Sequence, residues 1–184
     1  FPRIGENREL KKATEGYFKG NIAKDELLKI AKDIRQKHWK VQKENGIDFI
    51  SSNDFSFYDT FLDTCFMFGI VPKQYKEKGL DDLDTYFAMA RGYQSGDIDL
   101  KALPMKKWYN TNYHYVIPKV EENQSFELNE TKLISEYNEA KQIGIETKPV
   151  VIGVFSLAKL LGIDLQSKIF YNLLNEYFKL FTKL

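Results

Sequence analysis

The chain alternates segments of helical periodicity with short apolar runs, and this alternation constrains its fold more than any other feature. Helical patterns cover residues 8–19 and 24–45, where apolar side chains recur at three- and four-residue spacing. A compact apolar run follows at 47–52, and the clearest strand is Pro149-Val150-Val151-Ile152-Gly153, which is β-branched and uninterrupted. Helices that alternate with such buried strands indicate an α/β fold with a mostly parallel sheet.

The remaining segments continue the alternation. Helices are predicted at 57–68, at 79–96 with a loop from Arg91 to Gly96, and at 128–144 with Asn129 as N-cap; extended segments are predicted at 1–4 and 113–117. The sequence contains no low-complexity linker, long charge run or alignable repeat. We therefore expect one continuous compact unit.

Charge and cysteine content exclude several classes of protein. The 27 Lys and Arg side chains nearly balance 26 Asp and Glu, and the net charge of +1 argues against a general nucleic-acid binder. Cys65 is the one cysteine, so no internal disulfide can form, and a reducing compartment, by default the cytoplasm, is expected. No run of about 18 apolar residues is present, so no membrane association is expected.

A mixed charged face marks the first predicted helix. It carries Arg8, Lys11, Lys12, Glu15 and Lys19. One interpretation is a solvated surface with pairs at four-residue spacing. The other is an anion site, because a helix N-terminus after a glycine turn offers free N–H groups while Arg8 and Lys11 supply charge.

The segment from Lys106 to Tyr115 is the best functional candidate by composition. Its ten residues include two cations, four aromatic rings, two amides, a threonine and a histidine, which combine stacking surfaces with hydrogen-bond donors. A tyrosine-rich edge strand remains the alternative. The other potential ligands, His38, His114 and Cys65, fit no zinc motif; His38 is expected to be packed and Cys65 to be an inert buried thiol.

Two long motifs carry a resemblance to a known family. Phe1-Pro2-Arg3-Ile4-Gly5, followed by Arg8-Glu9-Leu10-Lys11-Lys12-Ala13, and Lys107-Trp108-Tyr109-Asn110-Thr111-Asn112-Tyr113-His114-Tyr115 resemble the amino-terminal region of cobalamin-independent methionine synthase. Shorter agreements lie between and after them, at 35–39, 46–48, 54–59 and 148–150. The resemblance covers essentially the whole chain.

The resemblance implies a fold of the (β/α)₈ TIM-barrel type. Residues 1–184 would be an incomplete N-terminal part of the first, folate-tail-binding barrel, since a closed barrel needs about 200 residues or more, and the second, zinc-bearing catalytic barrel would be absent. An incomplete barrel exposes sheet edges. We expect a covered rearrangement, pairing with a partner through the open edge, or a chain that is part of a longer one.

The resemblance also implies an activity and a set of binding residues. The family transfers a methyl group from 5-methyltetrahydrofolate polyglutamate to homocysteine without cobalamin, giving methionine, and zinc holds the acceptor as its thiolate. The residues that would bind the substrate, 5-methyltetrahydropteroyltriglutamate, are Arg8, Glu9, Leu10, Lys11 and Lys107.

No catalytic residue and no metal ligand is expected in this chain, which should be inactive alone. A non-catalytic folate-binding or interaction module derived from the same fold is the alternative, and a plain α/β scaffold is a third possibility.

Overall fold

The computed structural model describes residues 3–184, and these residues form mixed α/β structure. The helices are α1 (Glu9–Phe18), α2 (Lys24–Glu44), α3 (Thr60–Met67), α4 (Lys73–Lys76), α5 (Asp82–Arg91), α6 (Thr131–Gln142), α7 (Val154–Leu161) and α8 (Lys168–Lys183). The strands are β1 (Ser51–Ser52), β2 (Tyr93–Ser95), β3 (Ile98–Leu100), β4 (Met105–Lys107), β5 (His114–Val116) and β6 (Lys148–Pro149). No helix within this range has the length and apolar character that crossing a membrane requires.

Strand pairing differs from the mostly parallel sheet that the sequence indicated. β1 pairs with β6 in parallel, whereas β2 with β3 and β4 with β5 form antiparallel pairs. Each sheet in the described part of the chain has two strands. The expectation of a mostly parallel sheet is therefore wrong for residues 3–184, although the α/β class is confirmed.

The apolar run at 149–153 is the largest correction. The strand β6 covers only Lys148–Pro149, and Val150 is 44% exposed instead of buried on both faces. Its neighbour in residues 3–184 is β1 alone, which covers one edge of the strand. A β-branched run needs partners on both sides and both faces to become a central strand.

The buried strand predicted at 47–52 is also mostly absent from the structure. Only Ser51 and Ser52 are in a strand, Ile50 is buried, and Phe49 is 72% exposed with the Lys148 ammonium 3.8 Å from its ring centroid. The cation covers part of a ring that the sequence predicted to be in the core.

The Cα positions divide the chain into two compact units instead of the one unit expected. The first consists of residues 1–57 and 131–150. Its core has two clusters, one around Leu10, Ala31, Ile34 and Phe55 and one around Trp39, Ile50, Ala140 and Ile145. The Arg35 guanidinium of α2 binds the Glu139 carboxylate of α6 with two hydrogen bonds, of 2.7 and 3.3 Å.

The second unit consists of residues 58–130 and 151–184. Aromatic side chains fill much of its core: Phe68 stacks on Tyr177 with ring centroids 4.3 Å apart, and Phe61 lies 4.5 Å from Tyr115. Cys65 is fully buried among them and burial raises the pKa of its thiol well above the usual value, which confirms the inert thiol predicted from the sequence.

Most predicted helices are confirmed to within a few residues. The helices predicted at 8–19 and 24–45 are α1 and α2, and α6 begins at Thr131, three residues after the predicted start. Of the strand predicted at 1–4, residues 1 and 2 lie outside the described part, and Arg3 and Ile4 lie in a turn. The loop predicted at 91–96 contains β2, which pairs with β3 across Gly96.

Candidate functional site

A tight turn brings the chain into α1 and shapes the first group of candidate residues. The Arg8 N–H donates to the Gly5 carbonyl at 3.2 Å, and the Lys12 N–H donates to the Arg8 carbonyl at 3.0 Å. Gly5 has φ of 85°, and a Cβ there would lie 2.1 Å from a Glu9 carboxylate oxygen. The positive φ favours glycine at this turn, and a Cβ would also displace the Glu9 carboxylate from its present position.

The Glu9 carboxylate is committed to this turn. It accepts from the Asn7 backbone N–H at 2.9 Å, and its pKa is lowered mainly by a hydrogen bond from its own N–H, with further contributions from Asn7. The group is thus ionised and would repel an anionic ligand directly. Its contribution to a binding site is the conformation that it gives to the residues around Arg8.

Arg8 is held in a left-handed conformation with φ of 63° and ψ of 34°. A residue with a Cβ pays roughly 1–2 kcal/mol for this region relative to its preferred ones. The Arg8 side chain is exposed, and no carboxylate within residues 3–184 forms an ion pair with it. A strained backbone that projects a cation into solvent is typical of a functional position.

Leu10 and Lys11 have opposite environments. Leu10 is 1% exposed and packs in the first core cluster, so a ligand could reach only its backbone. The Lys11 ammonium lies 3.6 Å from the Glu15 carboxylate, and both side chains are about half exposed. Such a surface pair contributes little to stability and can open for a ligand.

The hydrogen bonds at the start of α1 correct one part of the anion-site hypothesis. The Leu10 N–H donates to the Ile4 carbonyl at 3.0 Å, and the Glu9 N–H bonds its own carboxylate. The expectation of free N–H groups is therefore wrong for these two residues. The cations of Arg8 and Lys11 remain as groups that could attract an anion.

Lys107 lies in the second unit, at the end of β4. It is exposed, pairs across the ladder with His114 of β5, and forms no ion pair within the described residues. Arg8 to Lys11 belong to the first unit and Lys107 to the second, so the structure assembles each group within its own unit.

The loop between β4 and β5 is built by its own polar groups. The Trp108 N–H donates to the Tyr113 carbonyl at 2.7 Å, and the Thr111 hydroxyl donates to the Trp108 carbonyl at 2.7 Å. Tyr109 has φ of 49°, and both Tyr109 and Tyr113 are more than half exposed. The extended segment predicted at 113–117 is confirmed as β5, and the tyrosine-rich edge interpretation holds for its structure.

Trp108 anchors this hairpin to the core of the second unit. Its ring lies 5.8 Å from Tyr115 and 6.3 Å from Phe61 in edge-to-face contacts. Aromatic residues of the segment therefore divide between packing, as in Trp108 and Tyr115, and exposure, as in Tyr109 and Tyr113.

Asp59 is a structural residue at the start of α3. It is buried, caps α3 by accepting from the Phe61 N–H at 2.7 Å, and accepts from the Val116 N–H of β5 at 2.6 Å. The Tyr86 hydroxyl accepts from the Asp59 N–H at 3.0 Å. An aspartate immediately before an apolar helix was the available signal for the cap.

The described residues do not provide a metal centre. Between residues 3 and 184, no three His, Cys, Asp or Glu side chains are grouped as metal ligands. His38 is half-buried on α2 and burial lowers the pKa of its imidazole, which confirms the packed histidine expected from the sequence.

Fold and site together define an α/β protein with two exposed cations, Arg8 and Lys107, that form no ion pair within residues 3–184. Over residues 1–184, the sequence matches the family described as cobalamin-independent synthase, N-terminal domain. The chain belongs to this family.

Curated relatives agree with the family. The chain is 52% identical over its whole length to a protein of Campylobacter jejuni subsp. doylei, and 54% identical over 87% of its length to one of Streptococcus thermophilus. Both relatives are named 5-methyltetrahydropteroyltriglutamate–homocysteine methyltransferase. The matched region is 25% and 21% of their respective lengths, so the chain spans a quarter or less of these proteins.

Proposed function

We propose that this chain is the amino-terminal part of a methyltransferase that moves the methyl group of 5-methyltetrahydropteroyltriglutamate to homocysteine, giving methionine. The observation that carries the proposal is the family match over residues 1–184, together with relatives of that name at 52–54% identity. Within such a protein, residues 1–184 would form the N-terminal part of a (β/α)₈ barrel. We further propose a cytoplasmic location, which suits the single free thiol of Cys65.

We assign to this chain the binding of the glutamate tail, through Arg8, Glu9, Leu10, Lys11 and Lys107. A tail of linked glutamates presents several carboxylates, which Arg binds with two parallel hydrogen bonds and Lys attracts as a point charge. Arg8 and Lys107 are exposed and unpaired within the described residues, and the Lys11 pair is weak. Leu10 would contribute through its backbone and Glu9 through the shape of the turn.

Zinc belongs to this proposal as a cofactor of the longer protein. The grouping of side chains in residues 3–184 does not fit a zinc site, so we place its ligands, and the binding of homocysteine, outside this chain. Zinc would hold homocysteine as the nucleophilic thiolate. The residues of this chain take no part in that step.

A methyl-transfer assay tests the assignment. A full-length protein that carries this chain should convert homocysteine to methionine with 5-methyltetrahydropteroyltriglutamate as donor, and the 184-residue chain alone should not. Homocysteine-dependent turnover by the 184-residue chain would disprove the proposal that this chain binds the glutamate tail but does not catalyse methyl transfer. Folate binding by a full-length protein without turnover would instead support a non-catalytic folate-binding module.

Substitutions in β4 test the proposed binding site for the glutamate tail separately. Lys107→Ala should weaken triglutamate binding by about 1.5–3 kcal/mol, as for a hydrogen bond to a charged group, and the loss should shrink at high salt. Lys106→Ala is the matched control, because neighbouring residues of a strand face opposite sides and Lys106 is also exposed. Equal losses in the two variants would indicate a diffuse charge effect and not a site at Lys107.

A further inference from the structure

The residue opposite Lys107 in the hairpin is His114, and the register places their side chains on one face. β4 and β5 align Lys107 with His114, and the next pair, Trp108 and Tyr113, is joined by a hydrogen bond from the Trp108 N–H. Lys107 and His114 are therefore a non-hydrogen-bonded pair, the type in which opposite side chains come closest. Both side chains are exposed. A ligand group that reaches the Lys107 ammonium is within reach of the imidazole.

The hydrogen bonds of the loop fix which nitrogen of His114 is available. The Nδ1 atom lies 3.0 Å from the Asn112 carbonyl oxygen. Because a carbonyl oxygen only accepts hydrogen bonds, Nδ1 carries the proton and donates it there. The remaining nitrogen, Nε2, is an acceptor in the neutral ring and becomes a donor when the ring is protonated.

We propose that His114 is a further binding residue for the glutamate tail: the imidazolium donates from Nε2 to a tail carboxylate that also contacts the Lys107 ammonium. This inference rests on the proposed tail-binding function of Lys107 and adds a second, protonation-dependent cation to it. The neutral ring offers only an acceptor to a carboxylate, so binding through His114 requires proton uptake at Nε2.

The charges around His114 determine the direction of this coupling. On the hairpin these are Lys106 and Lys107, and the helix α3, which packs against β5, carries Asp63 and is capped by Asp59. Asp59 is committed to the cap of α3 and the Val116 N–H. A carboxylate bound between Lys107 and the ring favours the protonated imidazole over the neutral one. Ligand affinity should therefore rise as the pH falls.

The experiment compares affinity at two pH values in a full-length protein that carries this chain. Binding of 5-methyltetrahydropteroyltriglutamate is measured by titration calorimetry at about pH 6 and about pH 8, which bracket the range where histidine changes charge. His114→Gln should weaken binding by about two- to fivefold at the lower pH, as for an exposed ion pair, and leave it nearly unchanged at the higher pH. His114→Arg, which is charged at both values, should bind as tightly at pH 8 as the parent does at pH 6.

Two comparisons make the outcome specific. His38→Gln removes the other imidazole of the chain and should keep the parent's ratio of affinities. If His114→Gln also keeps that ratio while Lys107→Ala weakens binding, His114 is not a tail-binding residue and the proposed function stands. If Lys107→Ala has no effect, the tail site itself is overturned. Should His114→Gln fail to fold, as judged by circular dichroism, the loss of pH dependence in His114→Arg decides the question.

Discussion

Arg8 combines an unfavourable backbone conformation with a charge that nothing in the described chain neutralises. Its φ of 63° lies where glycine is preferred, and three residues earlier the turn does use glycine, at Gly5. The Arg8 side chain is exposed. The proposed binding of a tail carboxylate by the guanidinium would account for an arginine at this position.

Substituting Arg8 separates strain from charge. Arg8→Gly should relieve the left-handed strain and raise the free energy of unfolding by up to about 1 kcal/mol, while triglutamate affinity falls. Arg8→Ala keeps the strain and loses the charge, so affinity should fall without a gain in stability. Urea denaturation and titration calorimetry measure the two quantities. A lower stability for Arg8→Gly than for Arg8→Ala would contradict the strain argument.

His38 gives the stability of the protein a pH dependence. Burial lowers its pKa below the usual 6.5, so the folded state binds a proton less readily than the unfolded state. Stability contributed by the neutral ring should be present above about pH 6.5 and be lost as the pH falls toward the lowered pKa. His38→Gln should therefore lose less stability than the parent between about pH 7 and pH 5 in urea denaturation.

A neutral change on the same helix is the control for this effect. Gln36→Asn adds and removes no titratable group and should keep the parent's pH dependence of unfolding. If the parent and His38→Gln lose the same stability as the pH falls, groups other than His38 dominate the pH dependence of unfolding.

Among the elements, helices were predictable and strands largely were not. The spacing of apolar residues in α1 and α2 predicts the face that each helix buries. In α2, Leu27, Ala31 and Ile34 lie in the core as expected. β4 was missed because all three of its residues are exposed, so the strand has no alternation of burial to detect. β2 and β3 were missed although Gly96-Asp97 between them is a turn signal for a hairpin.

The candidate site was predictable only in part, for a related reason. Composition identified the segment at 106–115, and resemblance supplied Arg8 and Lys107, but the pairing of Lys107 with His114 depends on register, which sequence does not reveal for an exposed hairpin. The engagement of Glu9 by its own turn also depends on a backbone conformation that residue types alone do not specify.

Asp59 connects two elements of the second unit. Its carboxylate accepts from α3 and from β5, both within a buried environment. Asp59→Ala should remove the cap and leave the Val116 N–H without its acceptor, which costs about 2–4 kcal/mol when a lost cap and a buried unsatisfied donor are combined. Urea denaturation measures the loss.

A second aspartate cap provides the comparison. Asp81 caps α5 at an exposed position, accepting from the Asp84 N–H at 2.8 Å. Asp81→Ala should cost only about 1 kcal/mol, as for an ordinary cap. Similar losses for Asp59→Ala and Asp81→Ala would mean that the bond to β5 contributes little.

For the molecule as a whole, α8 leaves an apolar surface uncovered. Leu173, Tyr177 and Leu180 are buried, whereas Tyr171, Phe178 and Phe181 on the adjoining flank are each more than half exposed. Contiguous exposed aromatics are unusual on a monomer in solution and favour self-association.

This surface predicts the behaviour of the 184-residue chain in solution. The double variant Phe178→Ser/Phe181→Ser should reduce self-association in light scattering, with a change in unfolding free energy of about 0.5 kcal/mol or less, since the positions are exposed. Asn172→Ser, at an exposed position flanked by Lys168 and Asn175 on the polar side of α8, is the control and should associate like the parent. Equal self-association of the parent and the two variants would show that the chains associate through a surface other than the exposed aromatic residues of α8.

The parallel pair β1–β6 joins positions that are far apart in the order of synthesis. Asn53 and Val150, hydrogen-bonded just beyond this pair, are separated by 97 residues. At translation rates of about 5–20 residues per second, roughly 5–20 s pass on the ribosome before β1 meets its partner. During that interval Trp39 and Ile50 lack their packing partners Ala140 and Ile145. The nascent chain therefore exposes an apolar surface to which a chaperone could bind until the first unit has folded.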